Sequence, residues 1–259
     1  MPKYDRKMQY DGGGVLPDPS GVKEKNWIFG GRDRPVLKED GDYANYLPTE
    51  EKQATKYFDP FSCVTVSLLG SCETVLNLMM ESDSSIKVIL ESLGALNGYG
   101  KADLSERFIA VMSNTIPGRG NSQYAVFECL RKNGVVGESV WPSNENMTQD
   151  EFFLSIPQEI KDKAKKFLQY FTFEYEDVGE SNTELKEALK RSPLCVVIGG
   201  VTIGAEPIYR PVTIPVNYNH QVENYNQENN VSRFSETIPV LHDILDSYDP
   251  FRKKFVGSY

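Results

Sequence analysis

The stretch from Cys63 to Met80, CVTVSLLGSCETVLNLMM, constrains the fold most, because it is apolar on nearly every face of a helix. A helix of that kind belongs in an interior. The chain has no run of about eighteen uninterrupted apolar residues, so a membrane span is not expected. Asp59-Pro60 forms a turn ahead of the stretch, and Ser62 is a candidate N-cap. The sequence therefore predicts a buried helix that begins at about Cys63.

Other periodic patterns predict a mixed fold. Amphipathic helices are expected from near Ser105, from Ser122 to Asn133 with Gly134 as terminator, and in the later stretches QDEFFLSIP, QEIKDKAKKFLQYF and TELKEALKRSP. The segment FTFEYEDV alternates as a half-buried strand does, and CVVIGGV is a β-branched run typical of a buried strand. The tail beyond it alternates strand-like and polar segments. The pattern predicts an α+β fold in which the C-terminal half carries an antiparallel sheet.

Charge and cysteine usage exclude several classes of function. The formal charge of −9 disfavours nucleic acid and anionic lipid as partners, because an acidic surface repels phosphates. The N-terminus has no apolar signal core, so a cytoplasmic protein with free thiols is expected. The four cysteines form no CxxC pair and there are two histidines, so neither a metal nor a cofactor is expected.

Residues 1–50 differ from the remainder of the chain. They are rich in Gly, Pro, Asp and Lys, with turn signals such as GGG, LPDPSG and EDGD. Trp27, Ile28, Phe29 and Tyr46 are apolar anchors within them. We expect an extended arm that lies across a folded domain of residues 51–259 or contacts a partner.

Several segments, in the same order along the chain, resemble papain-like cysteine proteases. The first is Cys63 with Ser67 four residues later and Glu73 in the third turn. The others are residues 104–108 (LSERF), residues 120–133 after a glycine-containing loop, GVVGESVWP at 134–142, LKEAL with the Pro193 and Cys195 strand, NHQV at 219–222, and residues 246–248. The resemblance implies a two-lobe papain-like fold, with a helical lobe at about 51–145 around the Cys-bearing helix and a sheet lobe at about 146–259.

The resemblance also assigns roles. Cys63 is the implied nucleophile, favoured as a thiolate by the positive end of its helix. His220 is the implied base, with His242 as the alternative, and Asp246 would orient the imidazole. The oxyanion hole would use the Cys63 backbone N–H and the Gln53 side chain. An inserted loop at residues 57–59 is required for Gln53 to reach.

The glycine-containing loop with Gly120 and Asn121 resembles the segment that lines the substrate pocket in this family. The expected function is a cysteine peptidase, without metal or cofactor, that cleaves peptide or isopeptide bonds. Val64, Gln221 and the spacing of Gln53 favour an alternative, an inactive papain-like module that binds a protein partner. Acyl or amide transfer on a small molecule is a third reading. Disulfide-free chains of this type resemble bacteriophage proteins, with a host-cytoplasm or virion location and a self-assembly partner for the arm.

Overall fold

The computed structural model of the chain describes residues 29–30, 34–49, 53, 55–176, 178, 182–200 and 210–215. Within these residues the protein is mostly helical. The bounds of its elements are α1 (Cys63–Ser82), α2 (Ser84–Ser92), α3 (Glu106–Met112), α4 (Gln123–Asn133), α5 (Gln149–Phe152), α6 (Gln158–Phe167), α7 (Asn182–Leu189), β1 (Cys195–Gly200) and β2 (Arg210–Pro215).

Helix α1 is the core helix that the sequence predicts. It packs against α2, α3, α4 and both strands, and Val64 and Leu69 are among the most buried side chains. By length and composition alone α1 could cross a membrane, yet 72% of its apolar window is buried inside the protein. The apolar character of all its faces is therefore explained by the neighbours that surround it.

Helices α3 and α4 confirm the predicted starts and stop. The Ser105 side chain accepts from the Phe108 N–H, and the Ser122 side chain accepts from the Ala125 N–H, so both serines are N-caps. Gly134 ends α4 at φ +70°, and a Cβ there would lie 2.1 Å from the Ala164 carbonyl oxygen. Only glycine satisfies both the backbone angle and the close approach of α6.

The predicted sheet lobe is wrong, and with it the α+β assignment of a helical lobe beside an antiparallel sheet lobe. In the described part of residues 146–259, helices α5, α6 and α7 take up more of the chain than the strands do. Strands there are limited to one antiparallel pair, β1 with β2, in the register Cys195 with Pro215 and Gly200 with Arg210. Segments with a 3.6-residue period, such as QEIKDKAKKF, bury an apolar stripe as helices, so they add no strand to the pair in the described part of the chain.

The predicted strand FTFEYEDV is also wrong, because its described residues form no β-ladder. The alternation of apolar and charged residues reflects an extended segment whose two faces have different contacts. Phe173 stacks on Phe167 of α6, Tyr175 packs edge-on against Phe127 of α4, and Glu174 forms an ion pair with Arg34. Ring contacts and an ion pair therefore hold this segment against α4, α6 and Arg34.

The described part of the N-terminal region, residues 34–49, lies across the helices. The backbone N–H groups of Leu37 and Lys38 donate to the Lys190 carbonyl just after α7, and the Arg191 guanidinium donates to the Arg34 carbonyl. Further along, the Asn77 side chain of α1 donates to the Tyr46 carbonyl. The segment thus connects α7 to the C-terminal half of α1.

Candidate functional site

Cys63 is the first residue of α1. Its side chain is buried, with 8% of its surface exposed, and none of the four cysteines is in a disulfide. The preceding Ser62 makes no side-chain capping hydrogen bond, and the first turn contains no acidic residue. The sulfur therefore lies at the positive end of a 20-residue helix, which favours a negative charge on it.

A sharp bend directly precedes Cys63. Phe61 has a positive φ of 56°, a conformation uncommon for a residue with a side chain. Asp59 supports the bend, because its Oδ1 accepts a hydrogen bond from the Phe61 N–H at 2.8 Å. The Phe61 side chain is buried, at 4% exposure, so its packing also holds the bend in place.

Gln53 lies next to this bend although it is ten positions ahead of Cys63. Its Nε2 donates to Asp59 Oδ1 at 2.9 Å. The intervening chain folds back on itself, because the Thr55 N–H donates to the Phe58 carbonyl and the Thr55 hydroxyl accepts from the Phe58 N–H. The inserted loop that the sequence requires for Gln53 therefore forms a closed turn, which ends beside the residues that lead into α1.

The face of α1 that carries Cys63 continues through Ser67 and Ser71, at four-residue spacing. At its far end the Ser71 hydroxyl lies 3.4 Å from the Cys195 sulfur at the start of β1. Strand β2 packs on α1 as well, and its last residue, Pro215, pairs with Cys195. The strand pair therefore crosses the helix on the face that bears the candidate nucleophile.

The other three thiols are in settings that hold them protonated. Burial raises the pKa of Cys72, and burial also raises the pKa of Cys129 to about 11. Burial raises the pKa of Cys195, an effect that the hydroxyls of Ser71 and Ser67 partly offset. A thiol reacts through its thiolate, so these three are poor nucleophiles at neutral pH.

Gly120 and Asn121 lie in a tight hairpin between α3 and α4. The Ile116 N–H donates to the Gly120 carbonyl, and the Gly120 N–H donates back to the Ile116 carbonyl. The Asn121 side chain is buried, with its amide donating to the Ser113 carbonyl and its oxygen accepting from the Ser122 N–H. These contacts hold the loop in shape, and the exposed side chain beside Gly120 is Arg119.

His220, Asp246 and the alternative base His242 lie outside the described residues. Among the residues that are described, no group of three or more His, Cys, Asp or Glu side chains could hold a metal ion. The sequence predicts a turn at Asp59 and no further role for this residue. The sequence feature that indicates a larger role is its position, six residues after Gln53 and four before Cys63. A carboxylate there can accept hydrogen bonds from the segments on both sides.

Comparisons with known proteins add a structural likeness. No protein-family model matches the chain, and no curated protein matches it. Among solved structures, the chain is similar to xylellain, a cysteine protease from Xylella fastidiosa, with a TM-score of 0.45 and 15% sequence identity. The match covers 79% of this chain and 76% of the xylellain chain. A cysteine protease is thus a structural neighbour of the protein.

Proposed function

We propose that the protein is a cysteine peptidase that uses Cys63 as its nucleophile to cleave peptide or isopeptide bonds. The observation that carries this proposal is the position of Cys63 as the first residue of a buried helix with no acidic residue in its first turn. A helix N-terminus stabilises an anion, and the thiolate is the reactive form of cysteine. Burial raises the pKa of the three other thiols, and none of the three is the first residue of a helix.

His220 is the proposed base, and it follows the last residue of β2 by five positions. An extended chain spans at most about 3.5 Å per residue, so the five residues that follow Pro215 can cover about 17 Å. Pro215 pairs with Cys195, which touches Ser71, and Cys63 lies about 12 Å along the helix from Ser71. The proposed role of His220 therefore requires these five residues to run back along α1 toward Cys63.

In the proposed reaction the His220 imidazole removes the thiol proton, and the Cys63 sulfur attacks the carbonyl carbon of the scissile bond. The oxyanion accepts hydrogen bonds from the Cys63 backbone N–H and from Gln53 Nε2. The imidazolium then protonates the leaving amine as the carbon–nitrogen bond breaks, and water hydrolyses the thioester to release the acid and the thiol. Asp246 would hold the imidazole in the required tautomer.

Alkylation of the native protein tests this proposal. Iodoacetamide at pH values from 5.5 to 8.5, followed by mass-spectrometric mapping, should modify Cys63 first and leave Cys72, Cys129 and Cys195 largely unmodified. His220→Ala should abolish the fast phase below about pH 7, whereas the matched variant His242→Ala should keep it. Equal and slow modification of all four thiols would refute a Cys63 thiolate.

Hydrolysis supplies the second arm of the test. A mixed peptide library incubated with the wild-type protein should be cleaved, and Cys63→Ala should lose the cleavage entirely. Retention of cleavage in Cys63→Ala would exclude the assigned nucleophile.

A second candidate is a module without catalysis that binds a protein partner, as a virion-associated protein would. The low exposure of Cys63, at 8%, is the observation that favours it, because a substrate carbonyl must reach the sulfur. Reaction of Cys63 with iodoacetamide but not with a larger epoxide carrying a peptide-like chain would support this second candidate. Rapid reaction with both reagents would support the peptidase.

A further inference from the structure

We infer that Asp59 is a positioning residue that fixes both proposed oxyanion donors, an inference that rests on the proposed function. Its Oδ1 accepts two hydrogen bonds, one from Gln53 Nε2 at 2.9 Å and one from the Phe61 N–H at 2.8 Å. The first bond holds the side-chain donor. The hydrogen bond from the Phe61 N–H holds the bend at Phe61. The backbone donor, the N–H of Cys63, lies two residues after this bend.

The surroundings of Asp59 make it a rigid anchor. The turn from Thr55 to Phe58 is closed by backbone and hydroxyl hydrogen bonds. The Phe58 ring is buried at 4% exposure and packs edge-on against Phe152. The Lys56 N–H donates to the Glu145 carbonyl, which ties the turn to the loop that precedes α5. The segment that presents Asp59 is therefore fastened on two sides.

The chemistry requires such an anchor for Gln53. A primary amide has two N–H groups, so one can bind the Asp59 carboxylate while the other faces a developing oxyanion. A hydrogen bond to a carboxylate is stronger than one between neutral groups, and it restricts the torsions of a flexible glutamine. Preorganised donors stabilise an oxyanion best, because they need not move as the charge forms. Asp59 supplies that preorganisation for Gln53.

The same carboxylate also supports the backbone conformation ahead of Cys63. Phe61 has φ +56°, a conformation that costs free energy for a residue with a Cβ. The hydrogen bond from its N–H to Asp59 offsets part of that cost. Loss of the carboxylate would therefore loosen the backbone that leads to the Cys63 N–H as well as the Gln53 side chain.

Kinetics of variants on a peptide substrate test the inference. Asp59→Ala should lower kcat about a hundredfold with KM nearly unchanged, because it affects donors that act on the transition state. Asp59→Asn should recover most of the rate, since its amide oxygen still accepts both bonds. Gln53→Ala should lose a similar factor, and the Asp59→Ala/Gln53→Ala double variant should lose less than the product of the two.

A matched control is another carboxylate that accepts a hydrogen bond from a backbone N–H. Asp83 accepts from the Ser85 N–H at 2.8 Å at the start of α2, at the opposite end of α1 from Cys63. Asp83→Ala should leave kcat unchanged. An Asp59→Ala enzyme with wild-type kcat, or an Asp59→Asn enzyme as slow as Asp59→Ala, would overturn the inference.

A measurement without substrate separates the two proposals. In nitrogen-15 NMR spectra of the full chain, the Gln53 side-chain amide protons should shift in Asp59→Ala and keep nearly their wild-type positions in Asp59→Asn and Asp83→Ala. Unchanged Gln53 amide signals in Asp59→Ala would overturn the role of Asp59, whatever the activity. Shifted signals together with a protein that cleaves no peptide would refute the peptidase and, with it, any oxyanion role for Asp59.

Discussion

At Gly137 the chain passes very close to the end of α2. A Cβ atom built on this residue would lie 1.8 Å from the Gly94 carbonyl oxygen and 2.6 Å from the Ala95 Cα. Both neighbours are backbone atoms, which cannot rotate away as a side chain would. The bridge between Leu104 and Gly137 fixes the approach from the other side.

Gly137→Ala should therefore lower the free energy of unfolding by about 2–3 kcal/mol, because the added methyl group forces backbone apart. Urea denaturation followed by circular dichroism measures the loss. Gly98→Ala is the matched control, since a Cβ there meets nothing within 4 Å. Its effect should stay within about 0.5 kcal/mol. Equal stabilities of the two variants would show that the contact at Gly137 relaxes freely.

Glu138, the next residue, is expected to make the stability of the protein depend on pH. Burial, followed by the neighbouring Asp103 carboxyl, raises the pKa of Glu138 to about 7, although a bond from the Ser143 N–H lowers it. A folded pKa above the ordinary 4.5 means that the folded protein binds this proton more tightly. The stabilisation is complete below pH 4.5 and is lost as the pH rises through about 7.

Glu138→Gln, which imitates the protonated carboxyl, should be more stable than the wild type at pH 8 by on the order of 1 kcal/mol. The difference should shrink toward zero near pH 4.5. Thermal unfolding at five or six pH values measures it, with Glu159→Gln on the exposed side of α6 as the control. A constant difference across the range would mean that Glu138 does not titrate near neutrality.

At the scale of single residues the sequence predicted the start of α1 at Cys63, because a turn and an apolar run meet there. It did not predict the bond between Gln53 and Asp59, which depends on the closed turn at residues 55–58. Nor could it predict the pKa of Glu138. Burial of that side chain follows from contacts with residues far from it in sequence, and local composition carries no record of them.

Among the elements, the two serine N-caps allow a sharp comparison. Ser105 caps α3 and Ser122 caps α4, and both are buried. The Ser105 hydroxyl has a second task, because it also donates to the Trp141 carbonyl. Trp141 in turn lies under the Arg107 guanidinium, at 4.5 Å from the ring centre. Ser105 therefore joins α3 to the turn that follows Gly137.

Ser122→Ala should cost about 1 kcal/mol, the usual value of a cap. Ser105→Ala should cost about 1–2 kcal/mol more, because it also leaves the Trp141 carbonyl without its donor. Chemical denaturation of both variants measures the difference, and the fluorescence of Trp141 should change in Ser105→Ala alone. Equal losses would mean that water replaces the hydroxyl at the Trp141 carbonyl.

The helices and strands also show where hydrophobic periodicity alone predicts an element correctly. Helices with a cap and an apolar stripe, such as α4, were predicted close to their ends. Helix α2 is not among the predicted helices; it begins at Ser84, and the Asp83 side chain caps it by accepting from the Ser85 N–H. The strand predicted at FTFEYEDV failed because alternation indicates two faces but not a neighbouring strand. The same gap explains why a sheet lobe was predicted wrongly.

In the molecule as a whole, Asn77 connects three regions that are distant in sequence. It is buried in α1, its Nδ2 donates to the Tyr46 carbonyl at 2.9 Å, and its Oδ1 accepts from the Ala102 N–H at 2.8 Å. The Ala102 N–H is deeply buried, so its loss of a partner is costly. One amide thus holds residues 34–49 and the loop after α2 on the core helix.

Asn77→Ala should lower the free energy of unfolding by about 2–3 kcal/mol, because it removes both bonds of a buried amide. Hydrogen exchange should become faster at residues 42–48 and at Ala102, while the amides of α4 keep their protection. Asn133→Ala is the matched control, since the Asn133 amide donates within its own helix to the Cys129 carbonyl. Its effect on exchange should stay at the end of α4. Unchanged exchange at residues 42–48 in Asn77→Ala would show that the contacts of Leu37 and Lys38 with Lys190 hold this segment without Asn77.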